Sequence, residues 1–170
     1  MKSPKLLSLL IASLFLFAFQ CDSDEIPVYL LDTENLAGTY VVTEFSGTTT
    51  ETDTDGVTID VLTSRFTATD FQNATITFTS NGNVSSTGSY TLNVVETDNG
   101  VNNTYTENDD LDINGSYTLN GNTIILPDVD GATTTIRNFS ENGLQLVLQE
   151  LVTDTDYRYE AQATFTLERQ

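Results

Sequence analysis

The 170-residue chain has no histidine, no tryptophan, a single cysteine and a single methionine, and only six basic residues stand against 25 acidic ones. Each shortage removes a class of chemistry. Without histidine the commonest general base and a principal zinc ligand are missing, and one cysteine makes neither an internal disulfide nor a thiolate metal site. Cysteine-dependent, histidine-triad and zinc-dependent hydrolysis are therefore excluded, and the chain reads as a non-enzyme with no cofactor. Paired carboxylates are the remaining catalytic option, since so many acids bring some pair together by chance. Most of them fall in runs such as Glu51 to Asp55, Glu107 to Asp112 and Asp128 to Asp130, which solvated turns explain.

Long apolar runs are scarce as well, and the one present lies at the start. Lys2 and Lys5 precede Leu6 to Phe19, a stretch broken only by serine and alanine. That is the layout of a signal peptide, and it is shorter than the ~20 residues a membrane-spanning helix needs. Residues 1–20 are assigned to this signal. Leu14 to Gln20, leading into Cys21, resembles the lipobox of bacterial lipoprotein precursors, with Ala18 at an accepted position and Phe19 and Gln20 bulkier than usual. The resemblance implies lipidation of Cys21; the alternative is a free or buried thiol, which is rare in exported proteins unless paired. Acyl chains at ~0.8 kcal/mol per buried methylene would hold the protein on a membrane.

Asp22-Ser23-Asp24-Glu25 resembles the surface-export signal of Bacteroidota lipoproteins, although an Asp directly after the lipidated cysteine also resembles an inner-membrane retention signal of enteric bacteria. The expectation is a lipid-anchored protein of the bacterial outer membrane, exposed at the surface. Residues 21–34 form the lipidated cysteine and an acidic tether, within which Ile26, Val28, Tyr29, Leu30 and Leu31 are apolar enough to dock on the domain that follows.

Both lysines lie in the signal, so residues 21–170 keep four basic side chains, Arg65, Arg137, Arg158 and Arg169, and a balance of −21. Such a charge repels nucleic acid and anionic head groups, discourages self-association and favours a monomer. Divalent cations remain possible partners. The 150 residues suffice for one domain with one core.

From Leu36 onward the apolar pattern has period two. Tyr157, Tyr159, Ala161, Ala163, Phe165 and Leu167 alternate with Arg158, Glu160, Gln162, Thr164, Thr166 and Glu168, which no helix could segregate. Ile76 and Phe78, Tyr90 with Leu92 and Val94, Tyr117 with Leu119, and Leu144 with Leu146 and Leu148 repeat the alternation. Five Asn-Gly pairs (81–82, 99–100, 114–115, 120–121, 142–143), with Asp55-Gly56 and Asp130-Gly131, mark tight turns. The count predicts an all-β protein of roughly eight to ten antiparallel strands. Closing them into an up-and-down barrel would remove the sheet edges.

Leu36-Ala37-Gly38-Thr39-Tyr40 resembles the Leu-x-Gly-x-Trp opening of small lipocalin-like domains, with Tyr in place of Trp. Gly88 to Leu92, Gly115 to Asn122 and Phe139 to Leu146 are similar to later strand and turn phrases of that group. The resemblance spans about residues 35–170 and implies a lipocalin-like barrel, of the kind carried by small Bacteroidota lipoproteins. It also implies a barrel-closing pair, with Arg169 lying over the Tyr40 ring as a cation–π contact.

A barrel of this size can hold one small ligand, lined by alternate residues: Tyr40, Val42, Ile76, Phe78, Tyr90, Leu92, Tyr117, Leu146, Leu148, Tyr159 and Phe165. Those side chains could equally fill the interior. Arg65 or Arg137 would neutralise a ligand carboxylate if buried. Asp110, Asp112 and Asn114, followed by Gly115, fit the first half of a Ca²⁺ loop, but Gly121 stands where the loop needs a bidentate Glu. An ordinary Asn-Gly turn also explains them, and Asp53, Asp55, Asp128 and Asp130 are weaker candidates. Two functions follow. One is a lipid-anchored barrel that binds a small apolar or amphipathic molecule. The other is a surface interaction or structural lipoprotein with a packed barrel, contacting protein, glycan or Ca²⁺ through acidic loops, with exposed aromatics such as Tyr105.

Overall fold

The computed structural model describes residues 29–54, 56–127 and 131–170. The signal, Cys21, the first part of the tether, and Asp55, Asp128 and Asp130 lie outside the described residues. One short helix, α1 (Thr33–Leu36), leads into ten strands: β1 (Gly38–Thr54), β2 (Ile59–Phe78), β3 (Asn83–Asp98), β4 (Val101–Asp110), β5 (Gly115–Ser116), β6 (Thr118–Asn120), β7 (Thr123–Ile125), β8 (Thr133–Ser140), β9 (Gly143–Thr153) and β10 (Tyr157–Arg169). The Asn-Gly pairs at 81–82, 99–100, 120–121 and 142–143 fall at the hairpins β2–β3, β3–β4, β6–β7 and β8–β9. Asn114-Gly115 does not. It lies where the chain crosses from β4 to β5.

All pairings are antiparallel, and the sheet runs β4-β3-β2-β1-β10-β9-β8-β7-β6, with β5 set against the start of β3. The all-β, up-and-down character is therefore present, but the sheet is not closed into a barrel. Only Asn83 and Val84 pair with β5, and the Tyr117 N–H donates to the Gly82 carbonyl at 2.7 Å. That short tie holds one end. Higher up, no strand pairs with the far edge of β4 among the described residues. Its sequence accounts for this: Val101-Asn102-Asn103-Thr104-Tyr105-Thr106-Glu107-Asn108-Asp109-Asp110 has no apolar row to bury, and every residue of it is exposed.

The molecule divides along its strands into a packed base and three projecting hairpins. In the base, Leu36, Tyr40, Val42, Ile76, Phe78, Val84, Ile124, Ile136, Leu144, Leu146 and Leu167 are almost wholly buried. Phe78 meets Tyr40 and Tyr117 edge-on, with ring centroids 5.9 and 5.4 Å apart, an arrangement favoured by the ring quadrupoles. Leu111 and Ile113 cover this end. The buried Ser86 hydroxyl fastens them, donating to the Leu111 carbonyl at 2.8 Å and accepting from the Ile113 N–H at 2.6 Å.

Irregularities mark the top of the base. Thr43 is an extra residue in β1, between the pairs Val42–Leu167 and Glu44–Thr166, and β2 shifts register around Gln72. Asp70 and Asn73 take up the left-handed backbone this requires, which short polar side chains tolerate. Beyond that level the hairpins β1–β2, β3–β4 and β9–β10 continue side by side as six strands. Residues 46–54, at about 3.4 Å each, carry the sheet roughly 30 Å further.

Residues 29–34, assigned to the tether by composition, form part of the domain surface. The Tyr29 ring lies 5.0 Å from that of Phe139, its hydroxyl donates to the Asn35 carbonyl, and Leu31 packs on the core. Leu30 points outward. Asp32 caps α1 by accepting from the Asn35 N–H at 2.7 Å. Residues 29–36 thus belong to the folded domain.

Candidate binding face

Tyr40, Val42, Ile76, Phe78, Tyr117 and Leu146 occupy the inner face of the base and fill it with one another. The Tyr117 hydroxyl is held by the Thr79 carbonyl at 2.9 Å. Arg169 lies over Tyr40, its guanidinium carbon 4.9 Å from the ring centroid. It also donates to the Ala37 carbonyl at 2.9 Å, to the Asn35 carbonyl and to the Tyr40 hydroxyl, which itself donates to the Leu36 carbonyl. Gly38 permits this: a Cβ there would sit 3.0 Å from the guanidinium. Burial pushes the Tyr40 phenol up to about 12, the nearby Arg169 charge opposing only part of the rise.

Phe165, Tyr90, Leu92, Leu148 and Tyr159 lie higher, where the inner face opens. The Phe45 ring stacks on Phe165 at 3.9 Å and meets Phe66 and Tyr90 at 5.3 and 5.4 Å. Above this aromatic floor, directly opposed residues share a face and build rungs across the sheet. One rung runs Leu148, Ala163, Gly47, Phe66, Val94, Tyr105; the next runs Glu150, Ala161, Thr49, Ser64, Glu96, Asn103. A third runs Val152, Tyr159, Glu51, Leu62, Asp98, Val101, and beyond it Tyr157, Asp53 and Asp60 stand together. Nearer the base, Glu107 opposes Leu92 and Asp109 opposes Tyr90.

The inner face of the hairpins therefore mixes rings with carboxylates and carries no arginine. Arg65 and Arg158 point the other way, in rungs of Thr, Gln and Asn such as Gln149, Gln162, Thr48, Arg65, Val95, Thr104. Arg158 is paired with Glu160. Arg137 is exposed on β8 opposite Gln145, beside a recess of about 550 Å³ that it lines with Tyr29, Leu31, Ile136 and Phe139. Both Arg65 and Arg137 face away from the interior, so neither can neutralise a carboxylate held there.

The tyrosines report their surroundings. The Tyr90 phenol is pushed up to about 12, mainly by burial and then by Asp109, to which it donates at 3.3 Å. Tyr105 is raised by desolvation and by Glu96 and Glu107, Tyr157 by desolvation and by Glu51, and Tyr159 by desolvation and by Glu150 and Glu51. In each case a carboxylate opposes formation of a phenolate. Tyr105 sits in β4 and is 39% exposed.

The half-motif for Ca²⁺ is used otherwise. Asp110 ends β4 opposite Ser89, and the Asn114 side chain donates to Asp112 while its oxygen accepts from the Ser86 N–H. Asn114 thus anchors the crossing segment to the base. No group of three or more acidic or cysteine side chains able to hold a metal ion occurs among the described residues. Asp53 stands at a hairpin tip beside Tyr157 and Asp60.

Sequence alternation alone did not single out Phe45, Phe66 or the carboxylate rows. For Phe45 and Glu51 Thr43 is the reason: an extra residue reverses parity in β1, so odd-numbered positions face inward after even-numbered Tyr40 and Val42, whereas Phe66, Glu96 and Glu150 keep the inward parity of Ile76, Val94 and Leu148 on their own strands. Compared with family models, curated proteins and solved structures, the chain matches none. What the geometry defines is an open antiparallel sheet with a filled base and a ring-and-carboxylate face.

Proposed function

We propose that the chain is a lipid-anchored, lipocalin-like lipoprotein of the bacterial outer-membrane surface that works without catalysis, as an interaction module. The observation that carries this reading is the contrast along one sheet face: the base is filled by its own side chains, while the same face continues above it as a broad accessible surface. A base packed in this way leaves binding to the projecting hairpins. Lipidation of Cys21 would fix the domain to the membrane and leave the hairpins to meet a partner.

A small-molecule function has one observation in its favour: half-buried Phe45 and Phe66, with buried Phe165, form an apolar floor next to the small residues Gly47, Ala161 and Ala163. Native mass spectrometry of the full protein in mild non-ionic detergent, followed by organic extraction, separates the two readings. The interaction module predicts acylated protein with nothing further bound. A stoichiometric extracted lipophile would replace it with the small-molecule function. Incorporation of a labelled fatty acid, lost in Cys21→Ala, tests the anchor.

A further inference from the structure

Strand β4 offers an accessible run of main-chain hydrogen-bonding groups. It pairs with β3 over its whole length, from Val101–Asp98 to Asp110–Ser89, and among the described residues no strand lies against its other edge. A bare edge of ten residues invites another chain to add to it. The invitation is selective. Glu107, Asp109 and Asp110 stand on β4 with no lysine or arginine, and a second copy would bring its own acidic face against this one.

What repels a copy attracts a strand of opposite charge. A strand added beside β4 would place every second side chain on the inner face, next to Asn103, Tyr105, Glu107 and Asp109. Glu96 lies one strand further in, opposite Asn103. Cationic side chains at that spacing would find carboxylates for charge-assisted hydrogen bonds and a tyrosine ring for a cation–π contact.

We infer that β4 takes up an extended segment of another polypeptide, with lysine or arginine at alternate positions, as a further strand of the sheet. The inference rests on the interaction-module reading and names its partner. Main-chain bonds supply the contact common to strand addition, and the alternating cations supply the choice of partner. The same acidic face repels anionic lipid head groups, so a membrane surface is not the occupant.

The test uses the full protein in non-ionic detergent and fluorescent peptides of about ten residues, matching β4 in length. One peptide alternates Lys with Thr, a second Glu with Thr, and a third keeps the lysines but separates them with proline, which cannot join a ladder. Spermine serves as a free polyamine. The Lys/Thr peptide is expected to bind and to slow amide exchange at residues 102–108. Its Kd should weaken about tenfold or more between about 0.01 and 0.15 M salt, where the screening length falls from ~30 to ~8 Å. The double variant Glu107→Gln, Asp109→Asn should weaken it about fivefold or more with an unchanged circular dichroism spectrum.

Equal binding of the Glu/Thr peptide would overturn the charge argument. Equal binding of the proline peptide, or equal competition by spermine, would overturn strand addition. If no peptide binds and extraction yields no small molecule, the inference fails while the interaction module stands. If a stoichiometric lipophile is extracted, the module itself fails.

Discussion

The base and the hairpins are made from the same strands and solve opposite problems. Below the Thr43 bulge, β1, β2 and β10 contribute Tyr40, Val42, Ile76, Phe78 and Leu167 to a face with no room for solvent. Above it, the same strands contribute Gly47, Thr49, Glu51, Ser64, Ala161 and Tyr159, a face that is only half-buried. The base derives its stability from apolar burial, worth ~25 cal/mol per Å². The hairpins rely on ladder hydrogen bonds and on threonine-rich pairs such as Thr97 with Asn102 and Thr91 with Asn108. One sheet is thus packed at one end and left accessible at the other.

The sharpest way to probe that contrast is to truncate one ring in each region. Phe78→Ala should cost about 3–5 kcal/mol in urea denaturation, whereas Phe66→Ala, half-exposed above the base, should cost about half as much. Equal losses would erase the distinction. Arg169→Met should cost about 1–3 kcal/mol, because it strips the donors from the Ala37 and Asn35 carbonyls and from the Tyr40 hydroxyl. Gly143→Ala, where a Cβ would fall 2.1 Å from the Leu167 carbonyl oxygen, should destabilise by about 1–3 kcal/mol through forced movement of β10.

Alkali offers a gentler probe. Tyr40 and Tyr90 both have folded-state values near 12 against an ordinary 10. The unfolded chain releases these protons first, so their contribution is complete below pH 10 and is lost as pH rises through 12. A denaturation series should show stability falling over that window, and phenolate absorbance should lag for these two rings. The smallest effect belongs to the outer face of the hairpins: Thr50→Val should change stability by less than about 0.5 kcal/mol.

Much of this architecture was legible in the alternation. The Tyr157 to Leu167 row reads as a strand and is β10, and four Asn-Gly pairs read as hairpins and are hairpins. Closure was not legible, because period two reveals strands but not whether the first and last edges meet. The polar run of β4 decides that question, and its lack of a buried row leaves the edge open. Tyr40 and Arg169 could be matched by motif and parity, and they do touch. Arg65 and Arg137 were offered for the interior only through scarcity of cations; their parity with Thr48 and Gln145 turns them outward. Glu51 stayed hidden because the Thr43 bulge reverses the parity of β1, and the rest of the ring-and-carboxylate face because only the cross-strand register brings acids such as Glu96 and Glu150 beside Tyr105 and Tyr159.

Native-state hydrogen exchange of the whole protein tests the division most directly. The account predicts opening free energies near the global value at residues 74–78 and 144–148, and markedly lower ones at 50–54, 59–63 and 98–106. Uniform protection along β1, β2 and β3 would contradict it, since base and hairpins would then unfold as one unit.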